Sequence, residues 1–125
     1  MSRNPVGWFE IYVDDMARAK VFYEAVLGIE LDRLPAPTNE LEMWQFPADM
    51  NGHGTSGTLV KVDGMPAGGN SVLVYFSTDN CATEASRVAD AGGELVRGKM
   101  SIGEYGFVAL ARDTEGNMFG LHSLS

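Results

Sequence analysis

The chain repeats itself, and that constrains it more than any single motif. Trp8-Phe9-Glu10-Ile11-Tyr12-Val13, the pair Asp14-Asp15 and, after an amphipathic stretch, Gly28-Ile29-Glu30-Leu31 come first. They return as Leu73-Val74-Tyr75-Phe76-Ser77, Asp79-Asn80 and Gly93-Glu94-Leu95. A constant offset of 65 carries Asp14 to Asp79, Asp15 to Asn80 and Gly28 to Gly93. Two similar halves imply a pseudo-symmetric molecule with a cleft where they meet.

Each half reads as strand, helix, three strands. Residues 8–13 alternate with the period of a strand, with Trp8, Glu10 and Tyr12 on one face and Phe9, Ile11 and Val13 on the other. Asp14 or Asp15 can cap the following helix, because a carboxylate accepts from the free N–H groups of a first turn. Met16, Ala19, Tyr23, Val26 and Leu27 recur at helical spacing, and Gly28 suits the stop. Strands are expected near 29–34, 41–46 and 58–62, separated by the turn-rich segments 35–39 and 51–54. Residues 63–70 form a glycine-rich linker. The second half then predicts a strand at 71–77, a helix at 80–91 with Ala82, Ala85, Val88 and Ala89 inward, and strands near 94–99, 107–111 and 117–123. Asp113-Thr114-Glu115-Gly116 reads as a hairpin turn closed by a glycine at positive φ. The expected organisation is one domain over 1–125, with module one at 7–62, linker 63–70 and module two at 71–123.

Composition narrows the partners. Seventeen acids against nine bases give a net charge of −8, which opposes nucleic acid, since phosphates demand a basic surface. No stretch approaches the ~20 apolar residues of a membrane span, and Met1-Ser2-Arg3-Asn4 does not read as a signal peptide. The lone Cys81 forms no internal disulfide and has no histidine near it in sequence. It reads as a small packing residue, and the expected location is cytoplasmic.

The words of the chain resemble the vicinal oxygen chelate superfamily, which includes glyoxalase I, extradiol dioxygenases, fosfomycin-modifying enzymes and bleomycin-resistance proteins. The resemblance rests on Glu10-Ile11-Tyr12-Val13-Asp14-Asp15-Met16-Ala17-Arg18-Ala19, Phe22-Tyr23 and Val26-Leu27-Gly28, and on the closing Arg112-Asp113-Thr114-Glu115-Gly116-Asn117. It spans residues 7–123. It implies an α+β fold in which two tandem βαβββ modules form an open eight-stranded barrel-like sheet around a substrate cleft, often in a homodimer.

Metal-dependent members of that superfamily draw His and Glu ligands from the first and last strands of each module. By resemblance those positions fall on Trp8, Leu73 and Gly120, with a fourth near Thr58. Three offer no ligand atom and a neutral hydroxyl is a poor one, so the usual metal site is expected to be absent and no cofactor is expected. Two residues further along, on the same faces, lie Glu10, Tyr75 and His122, a shift of about 6.6 Å along a strand. Glu10 and His122 could meet there as a displaced ligand pair or an acid–base pair. Otherwise Glu10 is a carboxylate held at the cleft mouth, and His122 is a histidine satisfied by one hydrogen bond.

Trp8, Tyr12, Tyr75 and Met118 join these two as candidate pocket residues, an aromatic lining with few polar groups. The third strand adds either Trp44 or the Met43 and Gln45 face. His53, in Asn51-Gly52-His53-Gly54, and Glu104-Tyr105-Gly106 are each either a pocket rim or an ordinary loop. The resulting expectation is a small-molecule-binding protein of the glyoxalase/bleomycin-resistance kind. The alternatives are a metal-dependent or metal-independent lyase, isomerase or dioxygenase acting on a small carbonyl compound, or an accessory module with a vestigial cleft.

Overall fold

The computed structural model describes residues 6, 8–36, 39–49, 51–69 and 72–125. Residues 1–5, Gly7 and Ser71 at the expected module starts, Pro37 and Thr38 of the first turn-rich segment and Asn70 of the linker lie outside them. Among the described residues the first half runs β1 (Phe9–Tyr12), α1 (Met16–Leu27), β2 (Asp32–Leu34), β3 (Leu41–Gln45) and β4 (Gly57–Val62). The second runs β5 (Tyr75–Ser77), α2 (Cys81–Ala85), β6 (Glu94–Ser101), β7 (Phe107–Arg112) and β8 (Met118–Ser123), with a 3-10 turn at Gly103–Tyr105.

Each half folds into a four-stranded sheet of the same topology, β1-β4-β3-β2 and β5-β8-β7-β6. The first strand pairs in parallel with the last, and the remaining pairs are antiparallel. The sheets do not close into a barrel, so β1 and β5 are end strands of their own sheets.

Local chemistry explains α1. Asp15 is its N-cap and accepts from Arg18 N at 3.0 Å, while Gly28 takes a left-handed φ of 67° and returns its N–H to Glu24 O. Between the caps, Met16, Ala19, Phe22, Tyr23 and Val26 are buried, and Leu27 is only half-buried. The stripe lies against the helix-facing sides of both sheets, where Ile11, Leu59, Ala109, Ala111, Phe119 and Leu121 join it in one core. Phe9, Phe22, Tyr23, Phe46, Phe76 and Phe119 form a ring cluster with centroids 5.1–5.9 Å apart. Edge-on and tilted pairs at this spacing are favourable beyond the area they bury.

The second helix corrects two expectations. It is α-helical only over Cys81–Ala85, and turns continue to Gly92. Ser86 Oγ donates to Thr83 O at 2.7 Å, the carbonyl that Arg87 N would take in an α-helix. Arg87 N bonds instead to Glu84 O, and Val88 N to Ala85 O. A side-chain hydroxyl has competed with the helical ladder. The buried positions are Cys81, Ala85 and Val88, while Ala82 and Ala89 are exposed. Cys81 packs in the core, and its N–H meets Ser123 Oγ at 3.0 Å.

The closing turn joins the halves. Glu115 Oε1 accepts the N–H groups of Asp14 at 2.9 Å and Asp15 at 2.8 Å, and Arg18 Nε reaches Oε2 at 2.7 Å. A carboxylate there meets the positive end of α1. Asp113 accepts the Tyr23 hydroxyl at 2.7 Å, and Asn117 Nδ2 reaches Tyr12 O at 3.0 Å. Burial would raise the Glu115 carboxyl; the Arg18 guanidinium, the N–H groups of Asp15 and Asp14 and the Thr114 hydroxyl outweigh it and hold it at about 2. Burial, with the Asp113 charge second, pushes the Tyr23 hydroxyl well above its usual range.

Candidate functional site

Between the free edges of β1 and β5 lies a cavity of about 1150 Å³. Trp8, Glu10 and Tyr12 enter it from the first half, Tyr75 and Met118 from the second. His53–Ser56 and Met65, Pro66, Gly68 and Gly69 contribute loop residues to its wall. Its lining is mostly apolar with a few polar groups, the usual make-up of a small-molecule site.

Register settles which side of the third strand faces outward. Glu10 pairs with Thr58 and Thr58 with Gln45, and Tyr12 pairs with Val60 and Val60 with Met43. Met43 and Gln45 therefore share the face of Glu10 and Tyr12. Trp44 pairs with Leu59, the partner of Ile11, and so lies on the helix side, with Lys20 Nζ 4.8 Å from its ring centre.

Glu10 and Tyr12 are coupled: the Tyr12 hydroxyl donates to Glu10 Oε1 at 2.7 Å. That bond, then burial and the Glu10 charge, raises the Tyr12 hydroxyl above its ordinary value. His122 sits apart. It pairs with Ser77 and Val108 in the second sheet, and its Nε2 lies 2.7 Å from Tyr105 O. A carbonyl can only accept, so this bond places a proton on Nε2. His122 is not among the residues lining the cavity, and no bond or ion pair joins it to Glu10 among the described residues. The Glu104–Gly106 segment is thus the anchor of His122, whereas His53 is exposed on the cavity wall.

The positions that resemble superfamily metal ligands do not fit a metal. Trp8 and Leu73 carry no suitable donor. Gly120 lies under the Tyr75 ring, which a Cβ at that position would strike. Thr58 is fully buried, and its Oγ1 has no hydrogen-bond partner. Among the described residues no three His, Cys, Asp or Glu side chains converge as a metal site would require.

Strand parity does not account for the whole wall. Phe9, placed on the face opposite Glu10, also lines the cavity, as do Phe76 of β5 and Glu84 of α2. End strands leave both faces accessible along one edge, and sheet order would have been needed to find this.

A family model described as the Glyoxalase/Bleomycin resistance protein/Dioxygenase superfamily matches residues 6–121. A curated relative, "Putative glyoxylase CFP32" of Mycobacterium bovis, is 26% identical over 114 residues, 91% of this chain but 42% of the relative. The chain therefore spans less than half the length of that relative. Among solved structures, TnmS3, an antibiotic binding protein from Streptomyces sp. CB03234, is 26% identical with a TM-score of 0.67, covering 100% of this chain and 99% of that one. Glyoxalase I from Zea mays is 19% identical with a TM-score of 0.70, covering 93% and 43% respectively.

Proposed function

The chain belongs to the glyoxalase/bleomycin resistance protein/dioxygenase superfamily, and from that premise we propose that it binds a small organic molecule between its halves without the superfamily's usual metal. The observation that carries this reading is the cavity of about 1150 Å³ walled by Trp8, Tyr12, Tyr75 and Met118. Such a wall offers flat apolar surfaces for a planar or hydrophobic ligand, and Glu10 supplies a polar contact. The likeness to TnmS3, described as antibiotic binding, runs the full length of both chains and supports a binding role. A cytoplasmic homodimer belongs to the same proposal. Trp8, Val72, Leu73 and Tyr75 leave substantial apolar surface open beside two free strand edges, which a second copy would cover. No helix among the described residues is long and apolar enough to cross a membrane.

Two measurements test it. Untagged protein exposed to zinc, nickel, manganese and iron, then dialysed, is expected to carry substoichiometric metal by mass spectrometry. One tightly held ion per chain would overturn the metal-free reading. A Trp44→Phe variant leaves Trp8 as the sole indole, and its emission is expected to shift saturably with a bound aromatic ligand. A library that produces neither shift nor thermal stabilisation would remove the binding role.

The Glu10–Tyr12 pair favours a second reading, a lyase or isomerase acting on a small carbonyl compound, with Glu10 as base and without His122, which stands outside the cavity. A carboxylate beside a bound substrate could take a proton next to a carbonyl. Glu10→Gln is expected to abolish turnover while sparing neutral ligands; full activity in that variant would remove Glu10 from the chemistry.

A further inference from the structure

The polar edge of the cavity has an uneven stock of hydrogen-bonding groups. On β1, Glu10 is exposed and lines the cavity, and Tyr12 stands beside it on the same face. The Tyr12 hydroxyl spends its only proton on Glu10 Oε1 at 2.7 Å, and its raised pKa keeps that proton in place at neutral pH. An ionised carboxylate has no proton to give. What the pair shows to the cavity is therefore lone pairs and a negative charge.

The rest of the wall does not redress this. Ser56 Oγ donates to Phe46 O at 2.8 Å, and Thr78 Oγ1 to His122 O at 3.1 Å. Asn117 gives Nδ2 to Tyr12 O and takes Gly68 N on Oδ1. No Lys or Arg among the described residues lines the cavity, so an anion finds no fixed positive charge there. Two residues before Glu10 in the same alternation, about 6.6 Å along the strand, the Trp8 ring is 42% exposed. An indole face attracts a cation as well as a hydrocarbon.

We propose that Glu10, presented by Tyr12 and flanked by Trp8, is a subsite that selects a flat organic cation bearing N–H groups, of the amidine or guanidine kind. The inference rests on the cavity being the ligand site, and it adds the charge and the hydrogen-bonding sense of the ligand. Glu10 Oε1 keeps a lone pair beside the one that Tyr12 occupies, so both carboxylate oxygens can accept. Two parallel N–H groups on one plane match that carboxylate.

The test titrates the full chain with benzamidine, benzamide and benzoate, one shape at three charges, by nuclear magnetic resonance. Wild-type protein is expected to bind benzamidine about tenfold more tightly than benzamide, the scale of a charge-assisted hydrogen bond, and benzoate least. Glu10→Gln keeps an oxygen for the Tyr12 hydroxyl and is expected to melt as wild type while binding benzamidine no better than benzamide. Asp90→Asn removes the same unit of charge from an exposed site outside the cavity, and is expected to leave the order and affinities unchanged. Benzamidine affinity that survives in Glu10→Gln, or that falls equally in Asp90→Asn, overturns the subsite. Continued benzamide binding then leaves the cavity reading standing. Wild-type protein that binds none of the three overturns the inference, whereas the cavity reading falls only if the wider ligand library fails as well.

Discussion

Two glycines on the last strands hold space for aromatic rings, and they differ in what a methyl group would meet. At Gly57 a Cβ would strike both the Phe9 ring and the Phe9 carbonyl, so backbone has to move. Gly57→Ala is expected to destabilise by about 1–3 kcal/mol in denaturant melts, the range for overpacking a tight site. At Gly120 the obstacle is the side chain of Tyr75, which is 47% exposed and can swing away. Gly120→Ala is therefore expected to weaken ligand binding more than stability, read by titration against the melting temperature. Residues of this kind were only half legible in the sequence. Parity placed Trp8, Glu10, Tyr12, Tyr75, Met118 and His122 on a common face; the first five line the cavity and His122 does not. The choice between Trp44 and Met43 needed the register with β4, which is a relation between strands rather than a property of either.

At the scale of elements, α1 and α2 show when local signals suffice. Asp15, Gly28 and the apolar spacing between them fix α1 from Met16 to Leu27, because caps and stripe agree. The second helix has a good N-cap in Asn80, yet Ser86 diverts the ladder through the Thr83 carbonyl. Ser86→Ala is expected to lengthen the helix, seen as added helical circular dichroism, with a gain of a few tenths of a kcal/mol. The turn at Asp113–Asn117 was recognisable as a turn from its glycine, but not as a buried clasp, since its partners lie about a hundred residues away. Its carboxyl is held at about 2 in the fold against an ordinary 4.5. A depressed value means stability that is complete above the ordinary pKa and is lost as pH falls from about 4.5 towards 2. Glu115→Gln is expected to cost on the order of 2 kcal/mol at neutral pH, less than the full shift because the Arg18 side is open to solvent. Melts of the variant should lack that acid-side loss; an unchanged slope would assign the acid sensitivity to other groups.

The whole molecule was the most legible scale. An internal repeat predicts two similar modules, and the two sheets share one strand order. It could not reveal how the modules meet, because contacts across a pseudo-symmetric joint are not themselves repeated. Asp113, Glu115 and Asn117 at the end of the second half bind Tyr12, Asp14, Asp15, Arg18 and Tyr23 of the first. The joint is polar and directional where the core beneath it is apolar. The sheets can therefore hold their relative placement while leaving the gap between β1 and β5 open.

The clasp also bears on how such a chain can be divided. The first helix carries its own cap at Asp15, yet the N–H groups of Asp14 and Asp15 are answered from the far end of the sequence. Cut at the linker, the first fragment would keep a helix with its opening amides open to water, and the second would keep a buried acid with no counterpart. Neither piece is a small version of the whole. Mixed together, they would have reason to find each other, which makes the duplicated chain a natural candidate for a two-piece reporter whose signal depends on reassembly.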